Sequence, residues 1–389
     1  VNPELIGDGL VLPVLDYEYA GISGCNDFYA GLRPDFNETF SPDLPAGLNL
    51  GRQLYWLQQN FPRDFAKARY ILMYAQYWGW LFTRHAAGEV TSLGCHTDLW
   101  APETKRYSSL IARCEWHNLM PPIKSAWESL GDITAEMAST TGLPKSCKVY
   151  VGVHDSNASY ARYLLALGQP TSSFTVVSTG TWCVLMQNHG DLAALTNSRD
   201  TLANCDIFGE PVNCARFMGG REYELICQRL GGSVGDRIDR ESIETVLKNS
   251  WMVTPDFSGG NGPFGGLSPV INCPQSTSVA ASVATLYYAL MIDQRLSDLY
   301  SSGSIFIEGA ILGNPTLCQL VAQLRPDQPV YLSTDKTGTV QGGIMLTNIG
   351  EASTLTPAAE LCQSGGFEGL NGYKMRWEAL ISAQVQASL

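Results

Sequence analysis

The stretch KVYVGVHDSNASYARYLLALGQP, residues 148–170, decides the reading of this chain. Lys148 to Val153 alternates and branches like a short strand, and it runs out at His154-Asp155. Ser156 and Asn157 are good helix-start residues for Ala158 to Leu167, and Gly168-Gln169-Pro170 closes that helix. A strand that passes directly into a helix is the unit from which α/β domains are made. Immediately after it, residues 171–187 read TSSFTVVSTGTWCVLMQ. Two β-rich runs flank Ser178-Thr179-Gly180-Thr181 there, which predicts a hairpin.

The pattern repeats towards the C-terminus. Gly219-Gly220 opens a helix expected over Arg221 to Leu230, and Ser258 to Gly266 is a glycine-rich loop. A long apolar helix is expected from Val279 to Leu299. The strand Ser304 to Ile307 then leads through Glu308-Gly309-Ala310 to a helix Pro315 to Leu324, with Asn314 as its cap. Val330 to Leu332 and Gly342 to Asn348 supply one more strand and helix. Before residue 148 the signals are weaker. They comprise a short strand Val11 to Leu15, helices Asn49 to Phe61 and Phe65 to Thr83, and a third helix within Ile123 to Thr141.

The 389 residues suggest two or three domains, and 45% apolar with 16% charged residues provides ample core. The net charge of −12 disfavours nucleic acid and anionic membrane as partners. The longest apolar run, Tyr70 to Phe82, is interrupted by Gln76 and is too short to span a bilayer. Eleven cysteines, an odd number with no CxxC pair, speak for reduced thiols and a cytoplasmic protein. No signal-peptide pattern is visible at Val1-Asn2-Pro3.

Chemistry is indicated in a few places. Thr179-Gly180-Thr181, Gly219-Gly220 and Gly309-Ala310 are turns where a phosphate could approach the backbone, although each taken alone reads first as an ordinary turn. No GxxxxGK[ST] occurs, which excludes a P-loop NTPase, and no GxGxxG opens a strand–helix unit. Asp155, between strand and helix, could accept the proton of a substrate hydroxyl that attacks phosphorus, or simply cap the helix. His154 could hydrogen-bond a polyol, yet strand alternation would point it away from the face of Asp155. His96 and Asp98 lack a third metal ligand and read as surface or substrate-side residues. The sequence offers Ser and Cys in plenty, yet hydrolase readings are weak.

The order of these pieces resembles the FGGY family of carbohydrate kinases: Gly152-Val153-His154-Asp155, then the Thr179-Gly180-Thr181 hairpin, then Glu308-Gly309-Ala310 with Asn314. Leu54-Tyr55-Trp56-Leu57 is similar to the family's N-domain signature, with Gln53 where a Lys is usual. The His-Asp pair and Ser178-Thr179-Gly180-Thr181-Trp182 look most like the rhamnulokinase and fuculokinase branch. The resemblance implies an α/β fold of two actin-like, ribonuclease-H-like ATPase domains with an interdomain cleft. Residues 1–167 would be the sugar-binding domain and 168–389 the ATP-binding domain.

The resemblance further implies that Asp155 is the general base and that His154 and Asp155 contact the sugar. Thr179, Gly180 and Thr181 would form the second phosphate loop, Gly219 and Gly220 the turn beside ribose and phosphates, and Gly309, Ala310 and Asn314 the adenosine motif. ATP and Mg²⁺ are the implied cofactors, and a ketose of the L-rhamnulose or L-fuculose type the implied substrate. Alternatives are xylulose, ribulose or glycerol as acceptor, or a non-catalytic actin-like nucleotide-binding protein; homodimerisation stays open. Family members also open with a strand ending in Asp-x-Gly-Thr-Thr, a first phosphate loop whose carboxylate helps to hold Mg²⁺. None precedes Val11, so the first domain is expected to be incomplete at its N-terminus, with that segment lying upstream of Val1. No metal ligand is therefore assigned within the sequence.

Overall fold

Phe174–Thr179 and Cys183–Gln187 form the expected hairpin, pairing antiparallel from Thr175↔Gln187 to Thr179↔Cys183. The computed structural model, which describes residues 1–5, 7–168, 170–335, 337–349 and 358–388, divides into two compact units. One comprises Val1–Gln169, Leu202–Val212 and Thr337–Thr354; the other comprises Pro170–Thr201, Asn213–Lys336 and Leu355–Leu389.

In the second unit the strands lie in the order Ala359–Leu361, Val330–Ser333, Ser304–Gly309, Phe174–Thr179, Cys183–Gln187, Pro211–Phe217. Ser304–Gly309 runs parallel to both Val330–Ser333 and Phe174–Thr179, and the remaining pairs are antiparallel. Its central strands are buried on both faces, which explains their near-continuous apolar runs. The long helix Thr277–Asp298 is buried at every position from Val279 to Asp293. Small residues along its first half (Ala280, Ala281, Ser282, Ala284) leave room for the helices Gly219–Arg229 and Arg240–Asn249 to pack against it. Each of Leu286, Leu290 and Ile292 on this helix is fully buried, worth about 1.5–3 kcal/mol apiece. The charges towards its C-terminal end are paired, Asp293 with Arg325 (2.7 Å) and Lys374 (2.6 Å), Asp298 with Arg199 (2.6 Å).

The first unit is mainly helical. Leu50–Asn60 packs with Tyr29, Leu93, Leu99, Leu110 and Trp116 into one core, and Tyr74–Thr83 packs against the strands Ser129–Asp132 and Lys148–Tyr150. Short strand pairs, Trp100–Ala101 with Arg106–Tyr107 and Ser129–Asp132 with Lys148–Tyr150, join helices and loops. Several expectations need correction here. Val11 to Leu15 forms no strand; Pro13 lacks an N–H, and no neighbouring strand pairs with the segment. The helix expected from Phe65 begins only at Tyr74, because Arg69 and Tyr70 donate their N–H groups to Val1 O and Ile71 donates to Leu119 O. The third helix does lie within Ile123 to Thr141, as Ala135–Thr141, and Ser129–Asp132 before it is a strand. Asp98 is fully buried rather than at the surface: its carboxylate accepts from the Tyr29 hydroxyl (2.7 Å) and pairs with Arg33 (3.1 Å). His96 is half-buried with Nδ1 against Leu48 O.

Candidate active site

Asp155 owes its position to the way its strand ends. The strand stops at Tyr150, two residues before Gly152, whose φ of +85° suits glycine and is unfavourable for other residues. His154 is then the extended cap residue, and Asp155 is the first residue of a helix that runs to Ala166. This helix starts three residues earlier than expected. A carboxylate in a first helical turn is favoured by the helix dipole. Strand alternation no longer separates the pair: His154 Nδ1 lies 3.2 Å from Asp155 Oδ1. The Asp155 side chain is 79% exposed, while Asn157 to Leu164 immediately after it are all buried. Burial opposes charge on His154, but the sulfur of Cys95 and the carboxylates of Asp155 and Glu89 raise its pKa to about 9.

The base of this helix is held from several sides. Gln76 Nε2 donates to Val151 O and Gly152 O, both at 3.2 Å. The His154 N–H donates to Thr91 Oγ1 at 3.0 Å. The helix Gly338–Thr347 packs so closely that a Cβ on Gly342 would fall 1.8 Å from Ala158 O. Sequence reasoning found Asp155 and missed Gln76, Thr91 and Gly342, since none lies near it in the chain.

In the second unit the turns singled out in the sequence converge. Gly309 ends its strand directly opposite Thr179. The Thr179 hydroxyl donates to Glu308 O (2.6 Å) and accepts from the Ile311 N–H (3.1 Å), locking the two turns together. A Cβ on Gly309 would meet Thr179 O at 2.1 Å, and one on Gly220 would meet Gly180 O at 2.2 Å. Gly219 and Gly220 are the first residues of the helix Gly219–Arg229, whose start therefore abuts the hairpin turn. Gly219 approaches the ring of Tyr288, and Asn314 Nδ2 donates to Thr285 Oγ1 (3.0 Å), both on the long buried helix. Asn314 Oδ1 also caps Pro315–Leu324 through the Leu317 N–H. The side chains of Thr179 and Asn314 are thus engaged within the protein. Gly180 has open space where a side chain would be: the nearest atom to an added Cβ is Trp182 O at 3.9 Å. Thr181, Gly309 and Ala310 are exposed beside it. The result is a cluster of adjoining turns beside one helix N-terminus, with backbone that a phosphate could approach.

Comparisons with known proteins identify the family. Residues 171–356 match the family described as carbohydrate kinase FGGY, C-terminal domain. A solved carbohydrate kinase from Novosphingobium aromaticivorans is 34% identical, superposes with a TM-score of 0.84, and is matched over 97% of this chain and 82% of its own. The chain belongs to the FGGY family of carbohydrate kinases. The xylulose kinase from Rhodospirillum rubrum (16% identity, TM-score 0.73, 94% of this chain and 78% of that one) shares the fold. So does the glycerol kinase from Plasmodium falciparum solved with ADP (14%, 0.71, 94% and 77%). No curated protein matches the sequence. The fold expected from the sequence, two α/β domains of the actin-like, ribonuclease-H-like kind, is that of this FGGY kinase, and the activity is that of an ATP-dependent carbohydrate kinase. No helix among the described residues is long and apolar enough to cross a membrane.

Proposed function

We propose that this FGGY kinase phosphorylates a hydroxyl of a ketose of the L-rhamnulose or L-fuculose type, with Asp155 as general base. The observation that carries this reading is the exposed Asp155 carboxylate at the head of an otherwise buried helix. Such a group is accessible to a sugar yet held by a rigid element. As the sugar oxygen bonds to phosphorus, Asp155 takes its proton, and the P–O bond to the departing ADP breaks. His154, 30% exposed and beside Asp155, is assigned to the sugar as a hydrogen-bond partner. The region 1–167 is assigned to the sugar and 168–389 to ATP.

For the nucleotide, we assign the phosphates to Gly180 and Thr181 with the start of the Gly219-Gly220 helix, and the adenosine to Gly309, Ala310 and the Asn314 cap. Thr179 and Asn314 serve that site by fixing the turns rather than by free side-chain groups. Bound ATP supplies the electrophilic phosphoryl group; these turns hold it and exclude water. Mg²⁺ would accompany the triphosphate, and no step is assigned to it. Eleven free cysteines suit a reducing cytoplasm.

The test is an ATP-coupled assay with L-rhamnulose, L-fuculose, D-xylulose, D-ribulose and glycerol. The reading expects the highest kcat/KM with one of the first two. A clear preference for glycerol or for a five-carbon ketose would replace this substrate class.

A further inference from the structure

Thr91 lies between a buried carboxylate and the backbone that carries Asp155. Glu89 is completely buried and caps the short helix Val90–Leu93. Its Oε1 accepts from the Thr91 N–H (2.9 Å), and its Oε2 accepts from the Ser92 N–H (3.1 Å) and the Thr91 hydroxyl (2.6 Å). A threonine hydroxyl has a single proton. With that proton given to Glu89, the oxygen can only accept from the His154 N–H, which it does at 3.0 Å. The direction of the bond is fixed, and the carboxylate strengthens it by polarising the hydroxyl. From another element, Gln76 holds the carbonyls of Val151 and Gly152. Before Asp155, the carbonyls of Val151 and Gly152 and the amide of His154 are therefore tied down by buried side chains distant in sequence.

We propose that Glu89 and Thr91 are positioning residues for proton abstraction, acting through the His154 amide to set where the Asp155 carboxylate stands. The proposal rests on the reading of Asp155 as general base. Neither residue need touch substrate. A carboxylate that must meet a sugar hydroxyl within hydrogen-bond reach tolerates little displacement, and a misplacement of about 1 Å can lower a rate on the order of 100-fold. Removing the Thr91 hydroxyl leaves the His154 N–H without its acceptor and lets the head of the helix shift.

The experiment compares Thr91→Val, which keeps the shape and loses the hydroxyl, with Thr91→Ser, which keeps the hydroxyl. Both are assayed with ATP and whichever acceptor of the panel above gives the highest rate. Thr91→Val is expected to lower kcat on the order of 10- to 100-fold while KM for ATP and sugar stays within about twofold, because the loss falls on transition-state positioning. Thr91→Ser should return most of the rate. In an Asp155→Asn background, Thr91→Val should lower the residual rate no further, since the two act as one unit. An unchanged kcat in Thr91→Val, a loss that Thr91→Ser does not relieve, or a full additional loss in the Asp155→Asn background would overturn the proposal. If Thr91→Val does not fold, Glu89→Gln serves instead: it removes an acceptor from the same chain and should lower kcat at constant KM, and an unchanged kcat overturns the proposal. Failure of the underlying reading looks different, because Asp155→Asn alone would then keep its activity.

Discussion

Gly309 and Gly180 lie in neighbouring turns, and the structure expects them to fail in different ways. In Gly309→Ala the new methyl would sit 2.1 Å from Thr179 O and 3.0 Å from Thr179 C and N, all backbone atoms of the adjacent strand. No side-chain rotation can relieve that overlap. The residue also has φ = +88°, where an L side chain is strained by about 1–2 kcal/mol. Forcing an added carbon into packed structure costs about 1–3 kcal/mol more. The expected loss is therefore about 2–5 kcal/mol, enough to disturb the Thr179–Glu308–Ile311 lock. In Gly180→Val the first added carbon meets nothing nearer than 3.9 Å, so the stability change should stay within about 0.5 kcal/mol while the branched side chain blocks approach to the backbone. Urea unfolding followed by tryptophan fluorescence reads the first effect, and calorimetric ATP titration of the folded variant reads the second. A Gly309→Ala protein with the wild-type midpoint would refute the packing argument. A folded Gly180→Val protein with unchanged ATP affinity would show that the hairpin turn does not hold phosphate.

Two further outcomes follow from buried groups. Burial, opposed mainly by the Tyr287 hydroxyl at 2.8 Å, pushes Glu222 up to about 7. Because the folded state then binds the proton more tightly than the unfolded one, stability should fall as pH rises from about 4.3 to about 7, by up to about 3 kcal/mol, and level off above. Glu222→Gln should remove that slope; equal slopes in urea melts of both proteins between pH 4.5 and 8 would contradict the assignment. Gly342→Ala places a methyl 1.8 Å from Ala158 O and should destabilise by about 1–3 kcal/mol. It should also lower kcat, since the helix carrying Asp155 must move; a variant with normal denaturation midpoint and rate would count against this packing.

What could be read from the sequence is whatever is encoded locally. The hairpin around Gly180 follows from two β-branched runs flanking a small-residue turn, and the helix Pro315–Leu324 follows from an Asn cap with Pro at its first position. Central strands buried on both faces leave long apolar runs that are hard to misread. The first unit resisted because its segments are fixed by partners far away in sequence. Tyr70 to Met73 is apolar enough for a helix, yet Val1 and Leu119 take its backbone donors. Asp98 reads as a polar loop residue until Tyr29 and Arg33 are seen around it. At the site, Asp155 was visible from its place between strand and helix. The relation of His154 to it was not, because alternation holds only while a strand lasts, and this one ends before Gly152. Glu89, Thr91 and Gln76 carry no motif; their importance lies in which backbone atoms they reach.

The most direct test is Asp155→Asn, measured for kcat with the preferred acceptor and for ATP affinity by calorimetry. The substitution is nearly isosteric at an exposed site, so fold and ATP binding should be preserved. As the general base, Asp155 should account for about 10²–10⁴-fold in kcat. A variant that binds ATP normally and turns over at under about one-hundredth of the wild-type rate fits the account. One that retains more than about a tenth of kcat would contradict it.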